Sequence, residues 1–252
     1  MAFGEARDDA LIRFGDACQR DDSIVAAFVG GSIAAHTADA VSDLDLYLVT
    51  RESEYERFFA RRQAFMRAWA EPLLLVDTRN FEGLGFDMLH FVLDDGVYGE
   101  LALGHAGNFR VMHGGPHDVL VDKTGLLKGA AFAEYVPSES ERLRQAEHAL
   151  NWFWLEYIQF RKQLHRGNTV GAANLLARLR THCLTLLALA RAVNMELGLE
   201  RYADRLTATL DSIDSRSAAR VIAEVHQEMG SAVARHFGVR YPLEVADLLS
   251  RS

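Results

Sequence analysis

The stretch that decides the fold is Phe28-Val29-Gly30-Gly31-Ser32, followed after ten residues by Asp43-Leu44-Asp45-Leu46-Tyr47-Leu48-Val49. An apolar run that ends in two glycines and a serine predicts a strand, a tight turn and a short helix at Ile33–His36, which Ser32 would open. In the second segment apolar residues alternate with Asp43 and Asp45, as in a strand with one buried face. The two segments predict a strand, a turn, a helix and a strand in succession.

The rest of residues 1–135 continues this mixture of strands and helices. Short β-rich runs bounded by turn residues predict strands at Ile24–Val29, Leu44–Val49, Leu73–Val76, Met88–Leu93, Val97–Leu103 and Val119–Val121. Helical patterns lie at Glu5–Arg20 and Ser53–Ala70. Asp94-Asp95-Gly96 predicts a hairpin turn, because glycine accepts the positive φ that such turns need. Residues 1–135 are therefore predicted to form an α/β (α+β) domain with a mixed sheet.

Residues 136–252 have a different pattern, in which apolar side chains recur every three or four positions, as on a helix with one buried face. Ser138 is predicted to cap the first helix, with Glu141 completing a capping box. The helical patterns span Leu143–Leu164, Ala172–Val193, Arg201–Ile213 and Ser217–Phe237. The first two are long and joined by a short turn, so they are expected to lie antiparallel. This part is predicted to be an all-α bundle of four helices.

Composition and charge exclude several classes of protein. The chain holds 27 Lys and Arg against 35 Asp and Glu, a formal charge of −8, which disfavours binding to duplex nucleic acid or to anionic lipid. Its first residues are acidic where a signal peptide needs basic ones, and the longest uncharged run, Ser23–Ala38, is too short to cross a membrane. The two cysteines stand apart and predict no disulfide framework. A soluble cytoplasmic protein is expected.

The chemistry of the motif is that of a phosphate and metal site. Asp43 and Asp45 are two positions apart on a strand and point to the same face, where two carboxylates repel unless a cation lies between them. Mg²⁺ is typically held by one or two carboxylates together with substrate phosphates. Gly30 and Gly31 let the backbone approach a ligand closely, and Ser32 begins a helix whose free N–H groups favour an anion. Each motif alone is typical of an ordinary turn or of a half-exposed strand, but their spacing favours a single site.

Gly30-Gly31-Ser32 followed by Asp43-Leu44-Asp45-Leu46 resembles the signature of the DNA polymerase β-type nucleotidyltransferase superfamily. The resemblance covers about the first 135 residues. A helical bundle after the catalytic domain is similar to the aminoglycoside and lincosamide nucleotidyltransferases of antibiotic resistance. The resemblance thus implies a nucleotidyltransferase catalytic domain at 1–135 and a helical bundle domain at 136–252.

The same resemblance implies a reaction and a site. A nucleoside monophosphate, expected to be AMP from ATP, would pass to a hydroxyl of a small-molecule acceptor in a Mg²⁺-dependent step that releases pyrophosphate. Asp43 and Asp45 would bind Mg²⁺, and Gly30, Gly31 and Ser32 would bind the triphosphate. An aminoglycoside is favoured over a neutral lincosamide, because residues 1–135 hold 22 acidic against 12 basic residues and that surplus attracts a cation.

The family also uses a third carboxylate, as a metal ligand or as the general base. Glu100 is the candidate, because it is a lone carboxylate in an apolar run on the far arm of the predicted hairpin. Asp77, Asp94 and Asp95 are the alternatives, although turn chemistry accounts for the last two. Whether Glu100 is a base or a metal ligand is left open.

The remaining assignments are less specific. Basic residues of the predicted bundle could bind the triphosphate, with Lys162 as the nucleotide-binding candidate beside Arg161, Arg178 and Arg180. The histidines of the glycine-rich segment are interpreted as surface residues rather than a zinc site; they are His105, His113 and His117. Two other functions stay open, a protein-modifying (AMPylating, antitoxin-like) nucleotidyltransferase and a catalytically silent nucleotide-binding module. A homodimer is compatible with the sequence, which does not decide the oligomeric state.

Overall fold

The computed structural model describes residues 3–210 and 214–250 of the chain. The chain divides into two compact units, an N-terminal unit at Met1–Tyr135 and a C-terminal unit at Val136–Ser252. In the described part, the strands of the N-terminal unit are β1 (Ile24–Val29), β2 (Leu44–Thr50), β3 (Pro72–Thr78), β4 (Asp87–Leu93), β5 (Tyr98–His105) and β6 (Asp118–Asp122). Its α-helices are α1 (Phe3–Arg20), α2 (Gly31–Ala34) and α3 (Tyr55–Trp69).

The strands form one mixed sheet in the order β3-β4-β5-β2-β1-β6. Strands β2 and β5 run parallel, whereas every other neighbouring pair is antiparallel. The predicted mixed sheet is confirmed, and each predicted strand lies within two residues of an observed one at both ends. The turn at Asp94–Gly96 joins β4 to β5, and Gly96 has the positive φ (86°) that was expected of it.

The two faces of the sheet are covered differently. On β2, the leucines at 44, 46 and 48 are buried in one cluster with side chains of α1 and α3, such as Phe14 and Phe58. The alternate residues of β2 point to the opposite face, where Val49 packs with Phe28 and with Phe109 and Phe132 from the loops. This second surface, the loop face, carries Asp45, because side chains of a strand alternate between faces.

The helix after β1 differs from its prediction. It spans Gly31–Ala34 instead of Ile33–His36, since the Gly30 carbonyl already accepts the Ala34 N–H at 3.3 Å. His36 has a left-handed φ of 55° and lies outside the helix. Ser32 is therefore the second residue of the helix and does not open it.

The described residues of the C-terminal unit form five helices, α4 (Glu139–His165), α5 (Thr169–Ala192), α6 (Leu199–Ala208), α7 (Ser215–Phe237) and α8 (Leu243–Ser250). Ser138 and Glu141 make the predicted capping box, and the two apolar stripes of α4 and α5 pack into one core with α7. The prediction of four helices was wrong by one, because α8, which buries Ala246, is too short to show a clear apolar period. The predicted helix Arg201–Ile213 is shorter, and its residues 211–213 lie outside the described part.

No helix within residues 3–210 and 214–250 combines the length and the apolar character that a membrane span requires.

Candidate active site

Three neighbouring strands align His90, Glu100 and Asp45 in one row on the loop face of the sheet. Glu100 on β5 is the register partner of Asp45 on the parallel strand β2 and of His90 on the antiparallel strand β4. Register partners on adjacent strands have Cβ atoms about 4.5–5.5 Å apart and face the same side. Nδ1 of His90 lies 3.2 Å from Oε1 of Glu100. The candidate third carboxylate is thus placed directly beside Asp45.

Asp43 completes the group, and Asp43, Asp45 and Glu100 form what we term the carboxylate cluster. Asp43 immediately precedes β2, two residues before Asp45. Burial, with smaller contributions from the charges of Asp43 and Glu100, raises the pKa of Asp45 to about 6. No residue of the described part donates a hydrogen bond to the Asp45 carboxylate. The cluster concentrates negative charge, and among the described residues it has no Lys or Arg partner; of its three carboxylates, His90 contacts Glu100 alone.

The two glycines make room for the Asp45 carboxylate. Gly31 has φ +58°, and a Cβ on it would collide with Oδ2 of Asp45. The Gly30 N–H donates a hydrogen bond of 2.9 Å to the carbonyl oxygen of Asp45. Any side chain at position 31 would therefore be strained by its backbone and would displace the carboxylate. The glycine pair brings the start of α2 against the carboxylate cluster.

Ser32 places polar groups at the same corner. Its Oγ is a buried atom with no hydrogen-bond partner among the described residues. The first N–H groups of a helix have no acceptor within it, and in α2 these belong to Gly31, Ser32 and Ile33. A buried hydroxyl without a partner is uncommon, because it loses its hydrogen bonds to water. An incoming oxygen ligand would satisfy it.

An aromatic cluster adjoins this corner, and the sequence did not indicate it. A Cβ on Gly30 would stand 2.6 Å from Cε1 of His113, and the His113 ring lies 4.7 Å from that of Tyr47. Tyr47 in turn stacks on Phe28, with 4.5 Å between the ring centres. Burial lowers the pKa of His113, and its Nε2 is 2.8 Å from the carbonyl oxygen of Pro116.

His105, His113 and His117 are each partly exposed. His113 packs beside Gly30, because the glycine leaves space for an imidazole. A signal in the sequence was available for Tyr47, which is two residues after Asp45 and so shares its face. A signal also existed for His90. A hairpin that turns at residues 94–96 places residue 90 opposite residue 100. Counting residues outward from the turn therefore identifies His90 as the partner of Glu100.

The alternatives to Glu100 lie elsewhere. Asp77 on β3 forms an ion pair with Arg62 of α3. Asp95 accepts the Val97 N–H at 3.2 Å within the hairpin turn and pairs with Arg13 at 3.3 Å. Both carboxylates form ion pairs with arginines, whereas Glu100 contacts His90 and faces Asp45. Asp94 is exposed in the hairpin turn.

The residues of the carboxylate cluster fit a hard divalent cation. Carboxylate oxygens are the ligands that Mg²⁺ prefers. Burial, and to a smaller extent the charges of Asp43 and Glu100, raise the pKa of Asp45, and a bound cation would offset both effects. As the side chains stand, no group of three or more His, Cys, Asp or Glu in residues 3–210 and 214–250 is arranged to hold a metal ion. A cation bound by the two aspartates would therefore need oxygen atoms from a bound molecule to complete its coordination.

The basic candidates all belong to the C-terminal unit. Arg178 forms an ion pair with Glu156, Arg180 donates to Thr209 at 2.8 Å, and Arg161 donates to the Leu249 carbonyl at 3.4 Å. Lys162 is exposed on α4. Its role in nucleotide binding stays a prediction.

A solved aminoglycoside 6-adenyltransferase from Bacillus subtilis is similar to this chain, with 12% sequence identity and a TM-score of 0.38 over 97% of this chain and 95% of that chain. By its name, that protein belongs to the group that the sequence motif resembles. No protein-family model matches the chain, and no curated protein sequence does. At such a TM-score the likeness does not define a shared fold, so the chemistry of the site is inferred from its own residues.

Proposed function

We propose that this protein is a nucleotidyltransferase, which transfers the nucleoside monophosphate of a nucleoside triphosphate to a hydroxyl of a small-molecule acceptor. The observation that carries the proposal is the Asp45 carboxylate, which lies against Gly31 and beside Glu100 and accepts no hydrogen bond from residues 3–210 or 214–250. A purely structural carboxylate at this position would have a hydrogen-bond partner, as buried polar groups generally do. The Ser32 hydroxyl, which follows Gly31 in the chain, is a second polar group without a partner among the described residues.

The N-terminal unit is, in this proposal, the catalytic domain and binds the triphosphate. Ser32 Oγ and the N–H groups of Gly31 and Ser32 bind its phosphate oxygens, because these donors have no acceptor within α2. Asp43 and Asp45 would hold Mg²⁺, which would neutralise charge on the phosphates during an in-line displacement.

Glu100 is assigned as the general base. Its carboxylate accepts the proton of the acceptor hydroxyl, while the hydroxyl oxygen forms a bond to the α-phosphorus and the bond from that phosphorus to the bridging oxygen breaks. The bridging oxygen leaves with pyrophosphate. His90, 3.2 Å away, holds Glu100 in position from the neighbouring strand. Glu100 is half-exposed, so an acceptor from solvent can reach it.

The acceptor proposed is a hydroxylated molecule with several amino groups, such as an aminoglycoside, whose modification would confer resistance. Residues 1–135 carry 22 acidic against 12 basic residues, and such a field attracts cations. ATP is proposed as the donor. We place the enzyme in the cytoplasm, in keeping with its two free, buried cysteines, Cys18 and Cys183.

The proposed function is tested by measuring transfer of the nucleoside monophosphate to an acceptor. The protein is incubated with each of four α-labelled nucleoside triphosphates, Mg²⁺ and a panel of aminoglycosides and lincosamides, and the products are identified by mass spectrometry. A parallel reaction supplies cell proteins as acceptors. Asp43→Asn and Asp45→Asn are expected to lower turnover by about three orders of magnitude or more, because each removes a metal-binding charge. Asp9→Asn, a change at an exposed aspartate of α1, is the matched control and should retain full turnover.

The outcomes separate the three functions. Labelled antibiotic that depends on both aspartates supports the proposal. Labelled protein in place of antibiotic would favour a protein-modifying enzyme. Nucleotide binding without any transfer would favour a silent binding module, and full turnover in either Asn variant would remove the carboxylate cluster from the chemistry.

A further inference from the structure

A cavity of about 570 Å³ lies within the C-terminal unit and plays no part in the proposed reaction. Its walls come from α4 and α7, and Leu249 of α8 closes one side. The size is within the range of cavities that bind small molecules. Three arginines, Arg161, Arg216 and Arg220, supply most of the charged groups in its lining.

The arginines of α7 are the first unusual feature. Arg216 and Arg220 are four residues apart, so both project from one side of the helix, where two like charges repel each other. The N-cap of α7, Asp214, uses its carboxylate to accept the N–H groups of Arg216 and Ser217. Glu224, the acidic residue of the cavity lining, forms an ion pair with Arg205 at 3.1 Å. The described residues of the lining therefore carry a net positive charge, in a chain that is acidic overall.

The opposite wall combines a fixed guanidinium with apolar surface. Arg161 donates to the Leu249 carbonyl at 3.4 Å, which holds its side chain along the edge of the cavity. Tyr157 is half-buried; burial raises the pKa of its phenol, against the opposing charges of Arg161 and Arg220. The phenol stays protonated at neutral pH and can donate a hydrogen bond. Leu164 and Ala223 add apolar surface that a flat ring can cover.

We propose that this cavity is a binding site for a planar organic anion with at least two negative charges, of the aryl phosphate class. Arg216, Arg220 and Arg161 bind the anionic group, since guanidinium groups form paired hydrogen bonds with phosphate or carboxylate oxygens. The ring lies against Tyr157 and Leu164. Binding removes the repulsion between the arginines of α7. The site shares no residue with the carboxylate cluster, which lies in the N-terminal unit.

The experiment is calorimetric titration of the full-length protein with 2-naphthyl phosphate. Inorganic phosphate and 2-naphthol are titrated separately, because each presents one half of the probe. We expect 2-naphthyl phosphate to bind at least tenfold more tightly than either. The double variant R216A/R220A should weaken that binding tenfold or more, and Ala223→Leu, which fills the cavity without changing its charge, should weaken it independently. Arg235→Ala removes an exposed arginine of the same helix outside the cavity and is the matched control.

Asp45→Asn separates this proposal from the proposed function. It should abolish transfer and leave the affinity for 2-naphthyl phosphate unchanged. Absence of binding at millimolar probe, equal affinity in the wild type and the double variant, or an equal loss with Arg235→Ala would each overturn the proposal. Equal binding of inorganic phosphate would also overturn it, because the ring would then contribute nothing.

Discussion

Two aspartates of one sheet, Asp45 on β2 and Asp87 on β4, differ in what surrounds them. Asp87 is 4% exposed, and its carboxylate accepts the Tyr55 hydroxyl and the Asn80 N–H, the latter at 2.6 Å, with Arg79 at 3.5 Å. Asp45 has two carboxylates as electrostatic neighbours and no donor in the described residues. Asp87 therefore has hydrogen-bond and ion-pair partners, whereas Asp45 has none among the described residues.

The C-terminal unit also contains a buried carboxylate with ion-pair partners, like Asp87 in the N-terminal unit. Glu156 on α4 is buried, and its two carboxylate oxygens contact Arg178 and Nε2 of His182, the latter at 3.2 Å. Buried charges normally require such partners, because desolvation without compensation is costly. A buried carboxylate in this protein is therefore a candidate for chemistry only where its partners are missing. The difference between carboxylates that have partners and Asp45, which has none among the described residues, can be tested by single substitutions.

Beyond the two aspartates of the carboxylate cluster, the next large effect on catalysis is expected at Glu100. Glu100→Gln removes the proton acceptor and should lower kcat by about 10²–10⁴-fold, since a general base contributes about that much to catalysis. The affinity for ATP, measured by calorimetry, should stay close to that of the wild type. A variant that turns over normally would return Asp77, Asp94 and Asp95 to consideration, whereas equal losses in binding and kcat would make Glu100 a nucleotide ligand.

The same substitution at the two aspartates should change stability in opposite directions. Burial and neighbouring charges raise the pKa of Asp45 to about 6, so the folded state retains a proton that the unfolded state loses as pH rises above about 4. Asp45 therefore costs stability at pH 7, and Asp45→Asn should raise the melting temperature in metal-free buffer. Asp87→Asn should lower the free energy of unfolding by about 1–3 kcal/mol, because it disrupts buried hydrogen bonds to a charged group.

Urea denaturation at pH 7 and pH 4 checks both changes. The gain from Asp45→Asn should disappear at pH 4, where the wild-type carboxyl is protonated in the folded state. A loss of stability in Asp45→Asn would make that residue structural and end the contrast with Asp87.

A buried histidine extends the comparison to the C-terminal unit. His226 stacks on Phe153 with 3.7 Å between ring centres, and its two nitrogens contact the Ala149 carbonyl and the Tyr241 hydroxyl at 3.2 and 3.1 Å. Burial lowers the pKa of His226 to about 3, so the folded state holds it neutral while the unfolded state binds a proton below about 6.5.

Stability should consequently fall as pH drops from 6.5 toward 3, by about 1.4 kcal/mol per pH unit from this residue alone. His226→Gln keeps groups that can hydrogen-bond but cannot titrate, and its free energy of unfolding should depend less on pH over that range. Identical pH profiles for the wild type and the variant would show that His226 is not held neutral.

The smallest effect concerns the acceptor. If the acidic surplus of residues 1–135 captures a cationic acceptor, the KM for an aminoglycoside should rise several-fold between 0.1 M and 1 M salt, because the screening length falls from about 10 Å to about 3 Å. The measurement keeps ATP and Mg²⁺ saturating. A neutral acceptor is the control, and its KM should change little. A flat KM for the charged acceptor would remove the charge argument without affecting the reaction.

The elements of this fold were largely predictable because their signals are local. The strand boundaries follow from β-rich runs between turn residues, and the Ser138 capping box follows from two residues three positions apart. The start of α2 was not predictable, because the Gly30 carbonyl begins the helical turn two residues early. Helix α8 was missed since its eight residues contain little more than two turns.

The sequence by itself determined the motif, with Asp43 and Asp45 on one face of a strand and Gly30-Gly31 before a turn. It also contained the pairing of His90 with Glu100, because a hairpin fixes its own register. The tertiary structure alone decided that Glu100 stands beside Asp45, since the register of the parallel pair β2 and β5 depends on packing across a long connection. The tertiary structure also decided that the Asp45 carboxylate occupies the space that a Cβ on residue 31 would fill. Local spacing encodes which side chains share a face, whereas contacts between distant strands exist only once the sheet has formed.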